Sequence, residues 1–298
     1  MTLLASDGSE RLQRAAVKGR SLWDDAGRRL LANKAAVASM VVLAVLVLLA
    51  MVGPYLAPFA YDQVDKADVW LAPLQAGHLL GSDALGRDLL ARLLTGLRVS
   101  LAIGVVATFV SLVIGVAWGA TAGYLGGKVD EAMMRIVDVL YSLPFIFFVI
   151  LLMVTFGSNI VLIFVAIGAV EWLTMSRIVR GQTLTLKNKE FVEAARAAGL
   201  TRAGIIARHI VPNLLGPVVV YVTLTIPAVI LAESFLSFLG LGVQPPMASL
   251  GNLIASGASD MELAPWLLIF PSVVMVLTLM CFNFVGDGLR DAIDPRDR

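Results

Sequence analysis

Few side chains in this sequence could do chemistry, and they are scattered. Two histidines, His78 and His209, and one cysteine, Cys281, are the whole supply of imidazole and thiol. They are too few and too far apart in sequence for a zinc site, and one cysteine allows no internal disulfide. No G-x-x-x-x-G-K-[ST] loop is present to cradle a nucleotide's phosphates, and no nucleophile–base pair stands out, so neither catalysis nor a bound cofactor is expected of this chain. What remains are three carboxylates in apolar surroundings, Asp138, Glu171 and Glu233, and one strongly polar run, residues 189–213, KEFVEAARAAGLTRAGIIARHIVPN.

That run predicts two short helices. Residues 190–198 contain no Pro or Gly and one β-branched residue, Val192, and Ala dominates them. Gly199 should stop this helix from the position after its C-cap. Thr201 can cap a second helix over 202–211, which Pro212 should end. Ala194, Ala195, Ala197 and Ala198 leave the first helix almost without bulk, so it can enter a groove on another protein. Lys189, Glu193 and Arg196 can then set its orientation.

The elements that must hold this run are apolar. Residues AVILMFWYC make up 58% of the 298 positions and charged residues 15%, and the mean hydropathy is +0.85. A soluble domain is nearer half apolar and a quarter charged. An all-α membrane protein with six spans is expected. The net charge of +1 conceals a segregation by region, and nucleic acid is not implied as a partner.

Residues 1–34 are polar and basic, with Ser21 and Asp24 in a capping arrangement. Leu22, Trp23, Ala26, Leu30 and Leu31 recur at helical spacing, so an amphipathic helix on the cytoplasmic membrane face is expected. Residues 35–56 form a first span. Residues 57–98 are too polar to cross. Within them Ser82 or Asp83 can cap a helix from about Ala84, lying in the outer interface with Leu85, Leu89, Leu90, Leu93 and Leu94 as its apolar stripe and Asp88–Arg92 as an i,i+4 pair. The second span is 99–122, where Gly115, Gly119 and Gly123 make a small-residue face for close packing. Spans three and four are read as 136–156, kinked at Pro144, and 160–176, with Gly157-Ser158-Asn159 as the turn between them. Residues 177–213 are a cytoplasmic loop, 214–238 a fifth span, 239–264 an outer segment without Lys or Arg, 266–285 a sixth span and 287–298 a tail.

Lys and Arg are dense in the N-terminal segment and in 177–208 and sparse in the segments between, so the positive-inside rule places both termini and the Ala-rich run in the cytoplasm. Asp138 and Glu171 then sit near the inner ends of their spans and Glu233 near an outer end. There, snorkelling or local pairing lowers the cost of a charge, and a structural role is expected of all three. Asp83, Arg87 and Asp88 are expected to hold the shape of the outer segment rather than touch a substrate.

Several motifs resemble one family. Glu193-Ala194-Ala195, Gly199 and Ile210-Val211-Pro212-Asn213 resemble the EAA loop of the permease subunits of ATP-binding-cassette importers. His78-Leu79-Leu80-Gly81-Ser82-Asp83 with Gly86-Arg87-Asp88 is similar to a segment typical of the C-type permeases of di- and oligopeptide importers. So are Gly19-Arg20-Ser21-Leu22-Trp23, Arg177-Ile178-Val179-Arg180-Gly181-Gln182, the run from Glu233 to Gly242 and the run from Asn283 to Asp291. The main departure from the pattern is Val211, where the family often has Leu.

The resemblance spans the chain. It implies a type I importer permease fold, N-in/C-in, in a bacterial inner membrane. It divides the chain into a cytoplasmic segment 1–34, a first span 35–56, a periplasmic segment 57–98, a transport core 99–286 with a coupling loop 177–213, and a tail 287–298. It further implies that Glu190, Glu193, Ala194, Ala195, Gly199 and Pro212 couple the chain to an ATPase, and that Gly81, Asp83, Gly86, Arg87 and Asp88 form a periplasmic structural motif. The partners implied are a homologous B-type permease, two cytoplasmic ATPases carrying ATP and magnesium, an external peptide-binding protein, the peptide itself and membrane lipid. Two rivals share the composition. A proton-driven transporter would need midplane charges and an internal repeat, and no convincing repeat is present. An importer of nickel or another small solute differs only in lacking the peptide-type motifs.

Overall fold

The structure is a computed structural model that describes residues 22–157 and 159–293. Those residues are helical throughout, apart from connecting segments and two isolated bridges, Gln75–His78 and Ser82–Asp88. Five helices are long and apolar enough to cross a membrane, and a bent pair makes a sixth candidate.

Helix α1, Leu22–Ala32, ends where Asn33 turns the chain. Asn33 Oδ1 accepts from Ala35 N and Ala36 N, both at 3.1 Å, and so caps α2, Lys34–Leu56. The reading of Ser21 as a cap, the motif residues before Leu22 and the last five residues of the tail lie outside the described residues. Helix α2 leads into a cap segment, residues 57–88. Helix α3, Leu89–Leu125, then runs the full length of the bundle.

The expected interface helix from Ala84 is not present as such. Asp88, not Ser82 or Asp83, is the N-cap, its Oδ2 accepting from Ala91 N at 2.7 Å, and the leucine stripe from Leu89 belongs to the first turns of α3. The expected Asp88–Arg92 pair is not made either. Asp88 is committed to the cap of α3 and to His78, and Arg92 turns to Asp83 at 3.5 Å.

Helices α4, Gly127–Ser142, and α5, Phe145–Phe156, meet at an 81° bend. The kink expected at Pro144 is present as this bend, while the helix before it begins at Gly127 and not at residue 136. Leu143, preceding a proline, is extended, and Pro144 has no N–H to continue the ladder. The twelve residues of α5 rise only ~18 Å against a hydrocarbon core of ~30 Å. Helix α6, Ile160–Leu186, is capped by Asn159 and continues well past the end expected at Ser176.

The glycine face of α3 works as its spacing suggests. Gly115, Gly119 and Gly123 lie against Met175, Ser176 and Thr183 of α6. A Cβ at Gly119 would overlap the backbone oxygen of Ser176, and one at Gly123 would stand 2.8 Å from Thr183 Cβ. Two backbones this close admit no side chain between them.

After the short helix α7, Glu190–Ala197, a second helical stretch begins at Arg202. It is α-helical over Arg202–Ile205 (α8), widens to a π-turn over Ile206–Ile210, and continues as α9, Val211–Phe238. The expectation that Pro212 ends a helix is overturned. Pro212 stands in the first turn of α9, where a missing N–H costs least, directly after the widened turn, and Asn213 Nδ2 donates to the carbonyl of His209 at 2.7 Å. Helix α10, Leu250–Ser259, lies in the segment read as irregular and opens on a capping box formed by Ser249 and Asn252. Helix α11, Trp266–Ile293, closes the chain.

The core lies where α3, α6 and α9 meet, with a second layer where α2, α3, α10 and α11 pack. Alpha helix α1 reaches the far end of α11, since a Cβ on Gly288 would touch Ala36 and Leu30. The cap segment lies at the opposite end, where Trp266 approaches Gly81. Large apolar side chains such as Met51 of α2 and Val154 of α5 are exposed along the bundle sides, a surface suited to lipid hydrocarbon.

Candidate functional site

The end of the bundle away from the cap carries a knuckle formed by α7 and α8. Helix α7 ends in the expected way. Gly199 has φ +79°, Leu200 N donates to Ala195 O at 3.2 Å and Gly199 N to Arg196 O at 3.0 Å, the double closure of a Schellman turn. A Cβ on Gly199 would meet nothing, so the requirement there is backbone conformation and not space. Thr201 Oγ1 accepts from Gly204 N at 3.2 Å and starts α8.

Only one face of α7 is free. Val192, fully buried, and Ala195, 6% exposed, point into a cluster with Ile205, Ile210, Leu214, Val179 and Tyr124. Glu190, Phe191, Glu193, Ala194, Ala197 and Ala198 point outward. The expectation that Ala195 belongs to the groove-entering surface is therefore corrected. Its small size lets α7 sit close on its own bundle, while Ala194, Ala197 and Ala198 present the bare surface. Pro212 is exposed but sits on α9, apart from that surface.

The base of the knuckle is braced. Lys187 Nζ donates to Gly123 O at 3.0 Å, a cation at the C-terminal end of α3. Arg180 pairs with Asp130 through two bonds of 2.6 and 2.7 Å, joining α6 to α4. Arg177 donates to Asp138 at 2.7 Å and covers the Tyr141 ring at 4.3 Å. Asp138 is thus paired, as a structural residue would be.

Glu171 and Glu233 differ. Glu233 is fully buried on α9; its Oε1 accepts from Ser237 Oγ at 2.6 Å and Ser249 Oγ at 2.7 Å, which ties α9 to the start of α10. Glu171 forms no hydrogen bond or ion pair among the described residues. Because α6 runs on to Leu186, Glu171 lies close to the middle of the helix and not at its end. An ionised side chain in the hydrocarbon costs about 2.5–3.5 kcal/mol on insertion scales unless it faces a protein interior or water.

Residues 111–298 match the family described as "Binding-protein-dependent transport system inner membrane component", and residues 21–73 match the "N-terminal TM domain of oligopeptide transport permease C". The chain belongs to this permease family. It is 55% identical over 291 residues to the oligopeptide transport system permease protein OppC of Haemophilus influenzae, covering 97% of this chain and 94% of the relative. It is 56% identical to OppC of Escherichia coli strain K12, covering 97% and 95%, and 45% identical over 279 residues to the dipeptide transport system permease protein DppC of Bacillus subtilis, covering 93% and 87%. Among solved structures it resembles one titled "Inward facing conformations of the MetNI methionine ABC transporter", with a TM-score of 0.56 at 21% identity over 68% of this chain and 96% of that one. That likeness shows the type I importer permease fold. The protein is a multi-pass bacterial inner-membrane permease, a transport component of an ABC transporter complex with other subunits, and not itself an enzyme.

The permease's cap segment is held by the residues that the sequence singled out. Asp83 Oδ1 accepts from Leu85 N and Arg87 N, and its Oδ2 accepts from Arg87 Nε at 2.8 Å. Gly86 has φ +72° and presses on the backbone of Asp65; Gly81 has φ +87° and lies under Trp266. His78 is buried against Phe59, its Nδ1 2.8 Å from Asp88 and its Nε2 3.3 Å from Asp68. Among the described residues no group of three or more His, Cys, Asp or Glu is arranged to hold a metal ion.

Sequence reasoning missed Val192 as the anchor of α7, although its spacing of three from Ala195 was a signal. It also missed Asp130, since its partner Arg180 lies fifty residues away and no local pattern links them.

Proposed function

We propose that this permease is the C-type half of an ATP-driven importer of oligopeptides. A homologous B-type permease supplies the other half of the path, two cytoplasmic ATPases bind ATP and magnesium, and an external binding protein delivers the peptide. Both termini and the knuckle face the cytoplasm, as the distribution of Lys and Arg argues. Residues 57–88 then face the periplasm.

The observation that carries this reading is the one-sided burial of α7. Val192 and Ala195 fasten it to α3, α6 and α9, while Glu190, Glu193 and Ala194 remain outside. A helix so mounted passes a push on its outer face through α8 and the π-turn into the cluster that they share with three long helices. Closure of the ATPases on ATP would move α7 and switch the path between outward and inward access. Relatives named OppC, at 42–56% identity, and one named DppC, at 45%, support a peptide as the substrate.

The test uses Ala194→Cys, since Cys281 is buried and leaves the new thiol as the reactive one. In the assembled complex, Ala194→Cys should crosslink to an ATPase, and proteoliposomes carrying all subunits should take up an oligopeptide only when ATP is supplied. Labelling of this cysteine from outside intact cells by a membrane-impermeant maleimide, with no crosslink to an ATPase, would overturn the assignment.

A further inference from the structure

Beside the 81° bend between α4 and α5 lies a half-open cavity of about 400 Å³, within the usual size range of small-molecule sites. Its walls come from the end of α4, the start of α5 and the middle of α6. Apart from Glu171 they carry no charged side chain: Leu143, Phe148 and Val170 are apolar, and Tyr141 and Thr174 add hydroxyls. The nearest cation along α6, Arg177, is already neutralised by Asp138 and lies over Tyr141. Glu171 is therefore the one carboxyl group in an otherwise uncharged, largely apolar wall. A carboxylate kept there without a protein partner must face water or a cation.

We infer that Glu171 is a substrate-positioning residue that receives the α-ammonium group of a peptide in transit, an inference that rests on the reading of this permease as a peptide importer. A carrier that passes many sequences can rely only on groups every peptide shares. The α-ammonium is one of these, and a single carboxylate in an apolar wall recognises it whatever side chains follow. The apolar lining accepts those side chains without demanding a particular one, and the adjoining bend at Pro144 gives the wall a joint at which to change shape. A charge-assisted hydrogen bond of this kind is worth about tenfold or more in occupancy.

The complex of both permeases and both ATPases, prepared without the binding protein, carries Thr174→Cys one helical turn from Glu171, and maleimide labelling of that cysteine is followed. A free tripeptide should slow labelling at least ~5-fold at concentrations where its N-acetylated form does nothing, and adding Glu171→Gln should abolish the protection while Glu171→Asp keeps part of it. Equal protection by free and acetylated peptides, or protection that survives Glu171→Gln, would overturn the inference. So would loss of the second permease from the purified Glu171→Gln complex, which would assign the carboxylate to a cation across the subunit interface. ATP-driven uptake by the unsubstituted complex with its binding protein is measured alongside. Failure there removes the peptide-importer reading itself, whereas normal uptake with no protection removes only the role of Glu171.

Discussion

Replacing Val192 by Ala isolates the attachment of α7 from its outer surface. The side chain is fully buried beside Ile205 and Ile210, and the substitution leaves every outward residue of the knuckle unchanged. Two methyl groups are lost, at about 0.8 kcal/mol each by transfer. The unfilled space raises the total to about 2 kcal/mol, the low end of buried truncations. That is roughly a 30-fold shift in the ratio of seated to unseated knuckle. Hydrogen exchange in the assembled complex should report it directly, because the amides of Ala198, Gly199 and Leu200 are protected by bonds that close α7. Their exchange should quicken by about that factor while amides in the middle of α3 stay as they were. In proteoliposomes the ATPases should continue to turn over, but fewer peptides should enter per ATP hydrolysed, because motion of α7 is no longer passed rigidly to α3, α6 and α9. Exchange and transport ratio both at their original values would refute the idea that burial of Val192 is what makes the knuckle a lever.

Two further perturbations probe the scaffold. Gly119→Leu should prevent stable accumulation of the permease, because any Cβ there collides with the backbone of Ser176; the cost exceeds the 1–3 kcal/mol of ordinary overpacking, and Gly115→Ala, whose added methyl would stand 2.6 Å from Met175 Cβ, should lower accumulation in the same direction, both read by membrane-fraction immunoblot and thermal melting. Asp83→Ala should destabilise the cap by about 3 kcal/mol, since it strips two backbone N–H groups of their acceptor and leaves the buried Arg92 without its carboxylate; limited proteolysis of residues 57–88 should rise sharply, and unchanged cleavage would count against the cap as a folded unit.

How much of this was readable in advance follows the range of each interaction. Gly199, Thr201 and the glycine face of α3 were legible, because a left-handed turn, a side-chain cap and a close helix contact each leave a mark within a few residues. Pro144 announced a break. The length of the bend's consequences was not readable: an 81° turn leaves α5 short and opens the cavity beside Glu171. Pro212 misled, because local preference says that a helix stops near a proline, while packing of Ile210, Leu214 and Val218 into one cluster keeps the helix going through a widened turn. Helix α10 escaped notice because its anchor points, Glu233 and Ser100, come from other helices.

From its amino acids alone this chain is a polytopic helical membrane protein with a small-residue elbow between its fourth and fifth spans, since apolar content, charge placement and turn residues are local properties. Which side of that elbow is free, that Ala195 faces inward and Ala194 outward, and that Glu171 stands unpaired at mid-helix beside a bend were decided by tertiary packing. The physical reason is that burial depends on which helices arrive from far along the chain, and periodicity within one helix cannot say which neighbour will cover which face.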